Sequence, residues 1–129
     1  MSKLNAYQKT SVTTATKEQV LIMLYEGAIK HLRRASEACQ KNDLAAKGTA
    51  VGKAHDIINE LSNTLNFNVG GDLPRNLENL YMFMVDLIIQ GNIKNDFTKF
   101  DQARKLLENL LVGWKGAVAQ LQAEKMQKS

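Results

Sequence analysis

The side chains able to make or break bonds are few and scattered. His31 and His55 stand 24 positions apart, without the spacing of four that sets two imidazoles on one helical face around a metal. They read as a surface histidine and a groove-edge histidine, not as ligands or general bases. Cys39 is the single cysteine. It excludes an internal disulfide and reads as a small buried hydrophobe, not a nucleophile. Gly70-Gly71 lacks both the preceding strand and the following Gly-Lys-Ser/Thr of a phosphate loop. Tyr7, Tyr25 and Tyr81 read as packing residues with polar tips. Nothing here supports an enzyme, a metal centre or a cofactor site.

Charge gives a second kind of chemistry. Residues 1–53 carry nine Lys/Arg against four Asp/Glu, and residues 54–129 carry eight against nine, so the net +4 resides in the first half. Its densest cluster, Lys30-His31-Arg33-Arg34, has no interleaved aromatics on which bases could stack. It reads as a solvated helix face and no nucleic-acid partner is expected. A basic regulatory protein that binds nucleic acid through Lys30, Arg33 and Arg34 is the alternative, with affinity falling steeply with salt.

The third kind is apolar. Leu80–Ile89, LYMFMVDLII, holds one charged residue, Asp86. Ten residues is half of the ~20 needed to cross a bilayer, so no membrane insertion is expected. The run is a core helix or one with an apolar face to spare.

Four elements must position these residues. At 129 residues with one proline, the chain is one domain able to bury about two-thirds of its unfolded surface. Its apolar spacings are helical. Thr16-Lys17-Glu18-Gln19 matches a capping box, and the first helix turns Val20, Leu24, Ala28 and Leu32 inward, flanked by Leu21, Tyr25, Ile29 and Cys39. After a turn at Asn42-Asp43, a second helix runs from about Leu44 to Leu65 with Val51, Ala54, Ile57, Ile58, Leu61 and Leu65 inward. Gly70-Gly71 permits positive φ where the chain reverses, and Asp72 with Pro74 starts a third helix reaching about Gln90. Asn92–Asp96 is the last turn. The fourth helix carries Phe100, Ala103, Leu107, Leu110, Trp114, Ala117/Val118 and Leu121 as a bundle seam. Short connections force antiparallel neighbours, so the spacing predicts an all-α, up-down-up-down four-helix bundle over 16–123. Residues 1–15 form a flexible extension able to dock on it, and 124–129 a frayed tail. With no apolar signal segment after Met1-Ser2-Lys3, the expected location is the cytosol.

On the third helix Leu77, Leu80, Tyr81, Met84 and Ile88 suffice for the core, and Met82, Val85 and Ile89 form a second stripe about 100–120° away. On the second helix Ala45, Gly48, Gly52 and Asn59 lie outside the core stripe, with His55 beside them. Each internal glycine costs roughly 0.5–1 kcal/mol relative to alanine, which suggests a packing reason. Together the two flanks describe a groove for a partner helix or segment, in which methionine repacks around its guest. The bland readings are a wide-faced third helix and a close contact between helices of this chain. A homodimer using the same stripe is a further alternative.

Several blocks in order resemble the FliS family of flagellar export chaperones, from about Asn5 to Val118. They are Asn5-Ala6-Tyr7 with Val12, Thr14-Ala15-Thr16 with Met23-Leu24-Tyr25-Glu26-Gly27-Ala28-Ile29, Ala46-Lys47-Gly48, Lys53-Ala54, Ile57-Ile58, Glu60-Leu61 and Thr64-Leu65-Asn66. Gly70-Gly71, Asn76-Leu77, Leu80-Tyr81, Met84, Asn92, Asn95-Asp96 and Trp114 complete the pattern. Lys17, Pro74 and Asp86 depart from it. The resemblance implies a chaperone that binds the disordered C-terminal segment of flagellin, keeps it from polymerising early and presents it to the flagellar export gate. With the residue reading, it points to Gly48, Gly52, His55, Met82, Val85 and Ile89 as partner-binding, and to Tyr7 and Val12 as an N-terminal plug of the empty site.

Overall fold

A computed structural model describes residues 16–128. Four helices follow one another: α1 (Lys17–Gln40), α2 (Leu44–Asn63), α3 (Leu73–Lys94) and α4 (Phe97–Lys128). α1 packs on α2 and α4, and α3 packs on both of the same neighbours, which is the expected up-down-up-down bundle.

The start of α1 is the expected capping box. Thr16 Oγ1 accepts from the Gln19 amide at 3.1 Å, and the Thr16 amide donates to Gln19 Oε1 at 2.9 Å, so two otherwise orphaned amides are satisfied. Asp43 caps α2 by accepting the Ala46 amide. α2 ends at Asn63, and Gly70 and Gly71, at φ +85° and +60°, shape the loop ahead of α3 and do not terminate α2. α3 outruns its expected end at Gln90 by one turn. It stops at Asn95, whose left-handed φ of 51° lets its amide bond back to the Gly91 carbonyl, a role usually taken by glycine and sometimes by asparagine. The periodic pattern does not register that extra turn, because Asn92, Ile93 and Lys94 are exposed. α4 continues as helix to Lys128 across the segment expected to fray, with every side chain from Ala119 to Lys128 exposed.

The core is built from the expected faces. Tyr25, Leu32, Ile58, Leu61, Tyr81, Met84, Ile88, Phe100 and Leu107 are fully buried. Tyr25, assigned to a flank by the sequence pattern, is central: its hydroxyl hydrogen-bonds that of Tyr81, and its ring lies 6.5 Å from that of Trp114. Small residues draw α1 and α2 together, with Ala28 and Ala35 buried facing Ala50 and Ala54. The seam of α4 thins toward its C-terminal half, where Leu110, Trp114 and Val118 are half-buried and Ala117 and Leu121 exposed.

One polar cluster closes the end of the bundle where both short turns lie. Lys47 is only 6% exposed, and its Nζ donates to the Asn92 carbonyl at 3.1 Å and to Asn95 Oδ1 at 3.0 Å. Asn95 also accepts from Cys39 Sγ and donates to Asn42 Oδ1. Helices α1, α2 and α3 and both turns thus meet in one clasp.

Candidate partner-binding surface

The Lys47 clasp fixes the register of α2 on α3. Counting away from it along antiparallel helices brings Gly48, Gly52 and His55 alongside Ile89, Val85 and Met82. On each helix these residues occupy the sector next to the contact with the other, because at 100° per residue Gly48, Gly52 and His55 adjoin Val51, and Met82 and Ile89 adjoin Val85. Val51 and Val85 are both half-buried against the core.

The walls differ in volume. Met82 is 60% and Ile89 44% exposed, and Val85 is half-buried, so the second stripe of α3 remains accessible once the bundle is formed. Opposite it, a Cβ built on Gly48 or on Gly52 meets no atom within 4 Å. Among the described residues, no helix of this chain occupies that flank, so close contact with one of the four helices is not the reason for these glycines. Tight glycine packing occurs elsewhere: a Cβ on Gly27 would lie 3.3 Å from Ile57 Cδ1, and one on Gly91 would lie 2.9 Å from Phe100 Cε1. His55 is half-buried at the groove edge, its Nδ1 3.2 Å from Asn59 Nδ2.

All six expected contact residues therefore line one face. Tyr7 and Val12, the expected plug, lie outside the described residues. The apolar surface is also wider than the stripe alone. Phe83 is exposed on the side of α3 toward α4, and a pocket of about 340 Å³ opens at the end of the bundle opposite the clasp, lined by Leu21, Leu65, Val69, Leu73, Leu77 and Trp114 among others. The indole N–H of Trp114 is buried without a hydrogen-bond partner. Helical periodicity could not have revealed that pocket, since half its wall comes from the loop between α2 and α3. Phe67, Val69 and Leu73, three exposed apolar residues around Gly70-Gly71, were its one sequence signal.

His31 and His55 lie in different grooves of the bundle. Among the described residues, no three His, Cys, Asp or Glu side chains are grouped so as to hold a metal ion, and no helix is long and apolar enough to cross a membrane.

This chain is similar to known proteins over most of its length. The family model described as flagellar protein FliS matches residues 1–121. The flagellar secretion chaperone FliS of Vibrio cholerae is 37% identical over 115 residues, 86% of this chain and 85% of the relative. The flagellar secretion chaperones FliS of Bacillus subtilis and Salmonella typhimurium are each 35% identical, covering 88% of this chain and 84% and 88% of theirs. A crystal structure of a bacterial flagellar chaperone superposes with a TM-score of 0.76 over 92% of this chain and 98% of that one; at 23% identity it speaks for the shared fold.

Proposed function

The chain belongs to the FliS family of flagellar proteins, and from that premise we propose that it binds the disordered C-terminal segment of flagellin in the cytosol, prevents its premature polymerisation and assists its delivery to the export gate. The observation that carries the reading is the exposed Met82, Val85 and Ile89 stripe of α3 beside the volume-poor Gly48 and Gly52 flank of α2.

Magnitudes favour a long site for such a guest. Ordering one residue of a disordered chain costs about 1–2 kcal/mol. At about 25 cal/mol per Å² of apolar surface, offsetting that takes roughly 40–80 Å² of apolar burial for each residue ordered. A compact pocket holds few residues, whereas an open groove running along two helices offers contacts over several turns. Methionine suits such a surface, because it has no branched carbon to fix the guest's shape.

The test mixes the full chain with flagellin that keeps or lacks its C-terminal segment and measures complex formation by calorimetry and sedimentation. A one-to-one complex that depends on the segment is expected. Val85→Asp should weaken it by about tenfold or more, by placing an unpaired carboxylate in the apolar contact, and should also lower the melting temperature because Val85 packs against the core; Met82→Asp, at a position 60% exposed, should weaken binding while helicity and melting stay near wild type. Equal affinity for both flagellins, or for wild type and Val85→Asp, refutes the assignment of this groove. Self-association through the stripe, abolished by the same substitution and unaffected by flagellin, would instead identify a homodimer face.

A further inference from the structure

The groove between α1 and α2 has different chemistry. It is a cleft of about 480 Å³ lined by the buried Ala38 and Ala50 with the exposed Ala46 beside them, and by His31, Arg34, Lys41 and Lys53. Two carboxylates, Glu37 and Asp43, also reach the rim, but Asp43 is committed to the Ala46 amide at the start of α2. Among the described residues, Arg34, Lys41 and Lys53 take part in no ion pair, in contrast to Arg33 and Arg104, which share Glu108 on the neighbouring face. The cations converge from both helices. Burial first, and then Lys30, Lys53 and Arg34, hold the His31 imidazole below the usual histidine range.

We propose that this cleft docks an acidic polypeptide segment, setting its carboxylates against Arg34, Lys41 and Lys53 and its small apolar side chains on the alanines, at a site separate from the groove between α2 and α3. Three observations select this occupant. Arg34 and Lys41 are seven residues apart on or just after α1, about 10 Å along a helix axis, too far for one small anion to bridge but matched by carboxylates two turns apart. Among the described residues no Phe, Tyr or Trp lines the cleft, so bases would find the His31 ring alone in place of a row of stacking aromatics. The rim carboxylates repel a uniformly charged phosphate backbone, whereas a peptide of mixed composition can place a neutral or basic residue there.

The two histidines make the test direct, because each reports on one groove. The probe is a blocked 17-residue peptide of Glu-Ala-Ala-Ala repeats. A Gln-for-Glu peptide and a 17-nucleotide single strand of DNA serve as comparators. Each is titrated into the full chain at low salt while the imidazole resonances are followed by NMR. The glutamate peptide is expected to move His31 and raise its pKa, to leave His55 in place, and to release as salt screens the contact. The glutamine peptide should move neither histidine. An Arg34→Glu, Lys53→Glu double variant of unchanged helicity should bind the peptide about tenfold more weakly or worse, as expected for reversed rim charges; if it loses helicity, the Arg34→Gln, Lys53→Gln pair takes its place. An unmoved His31, DNA binding there more tightly than the peptide, or a charge variant with wild-type affinity overturns the proposal. Flagellin binding is read at His55, so the two assignments fail independently.

Discussion

Lys47 holds a charge in a place where charges are rarely found. Lysine is almost never fully buried unless partnered, and here the partners are carbonyl oxygens, Asn92 O and Asn95 Oδ1. Among the described residues no carboxylate pairs with it. Removing the donor breaks two part-buried hydrogen bonds to a charged group and leaves Asn95 Oδ1 with Cys39 Sγ alone, at about 1–3 kcal/mol. Lys47→Ala should therefore lower stability by about that much or more in a urea titration, and Lys47→Met, which keeps the stem that packs, by less. Tyr25 and Tyr81 offer a cleaner comparison. Either tyrosine changed alone to phenylalanine leaves the other hydroxyl buried without its partner, so each single variant should lose about 1–2 kcal/mol. The double variant removes both polar groups and should lose less than the two single losses added together, which a double-mutant cycle measures.

Among the elements, α2 and α3 each use their glycines for one purpose. Gly91 is enclosed: an alanine methyl there would approach Phe100, the Asp96 carbonyl and Lys99 within 3.0 Å, and backbone cannot yield cheaply. Gly91→Ala should destabilise by about 1–3 kcal/mol. Gly48 and Gly52 are open, so Gly48→Ala and Gly52→Ala should raise stability by roughly 0.5–1 kcal/mol each and, if the groove reading holds, weaken flagellin binding. Thermal melts with parallel calorimetry separate the two effects. Sequence alone could not tell these glycines apart, since each sits within a helical pattern and only the packed neighbour decides. It could identify the helices, because caps and periodicity are local: the Thr16 box and the α3 stripe were legible for that reason. Lys47 was missed because its charge argues for solvent, although its spacing from Ala50 and Ala54, by three and seven, puts it on the buried face. The cleft between α1 and α2 was legible only as a basic cluster, since Lys41 and Lys53 join Arg34 through tertiary packing.

For the molecule as a whole, the buried tyrosines and the half-buried His31 limit the pH range. Burial raises the Tyr25 hydroxyl, and burial together with Tyr25 raises Tyr81. The unfolded chain ionises these phenols near pH 10 while the folded chain keeps their protons, so their contribution is complete below about pH 10 and is lost as pH rises beyond it. His31 sets the opposite limb. Its lowered pKa, due first to burial and then to Lys30, Lys53 and Arg34, means that the unfolded chain takes up this proton first as pH falls through about 6.5. Stability therefore falls on that side too. Melting temperature plotted against pH should be highest between these limits. His31→Gln should flatten the acid slope, and the Tyr25→Phe, Tyr81→Phe double variant the alkaline one.

The clasp around Lys47 and Asn95 makes the two ends of the bundle mechanically unequal. One end has a fixed pivot that ties three helices through side chains, and the other is spanned by the nine-residue connection Thr64–Asp72 over a partly empty pocket. α3, with 22 residues, is a lever about 33 Å long. A tilt of about 3° around the clasp would move its free end by about 1.7 Å over that length, close to the radius of a methyl group. A given rotation about the polar end thus displaces the apolar end most, so amide hydrogen exchange should be faster in the first turns of α3 than beside the clasp.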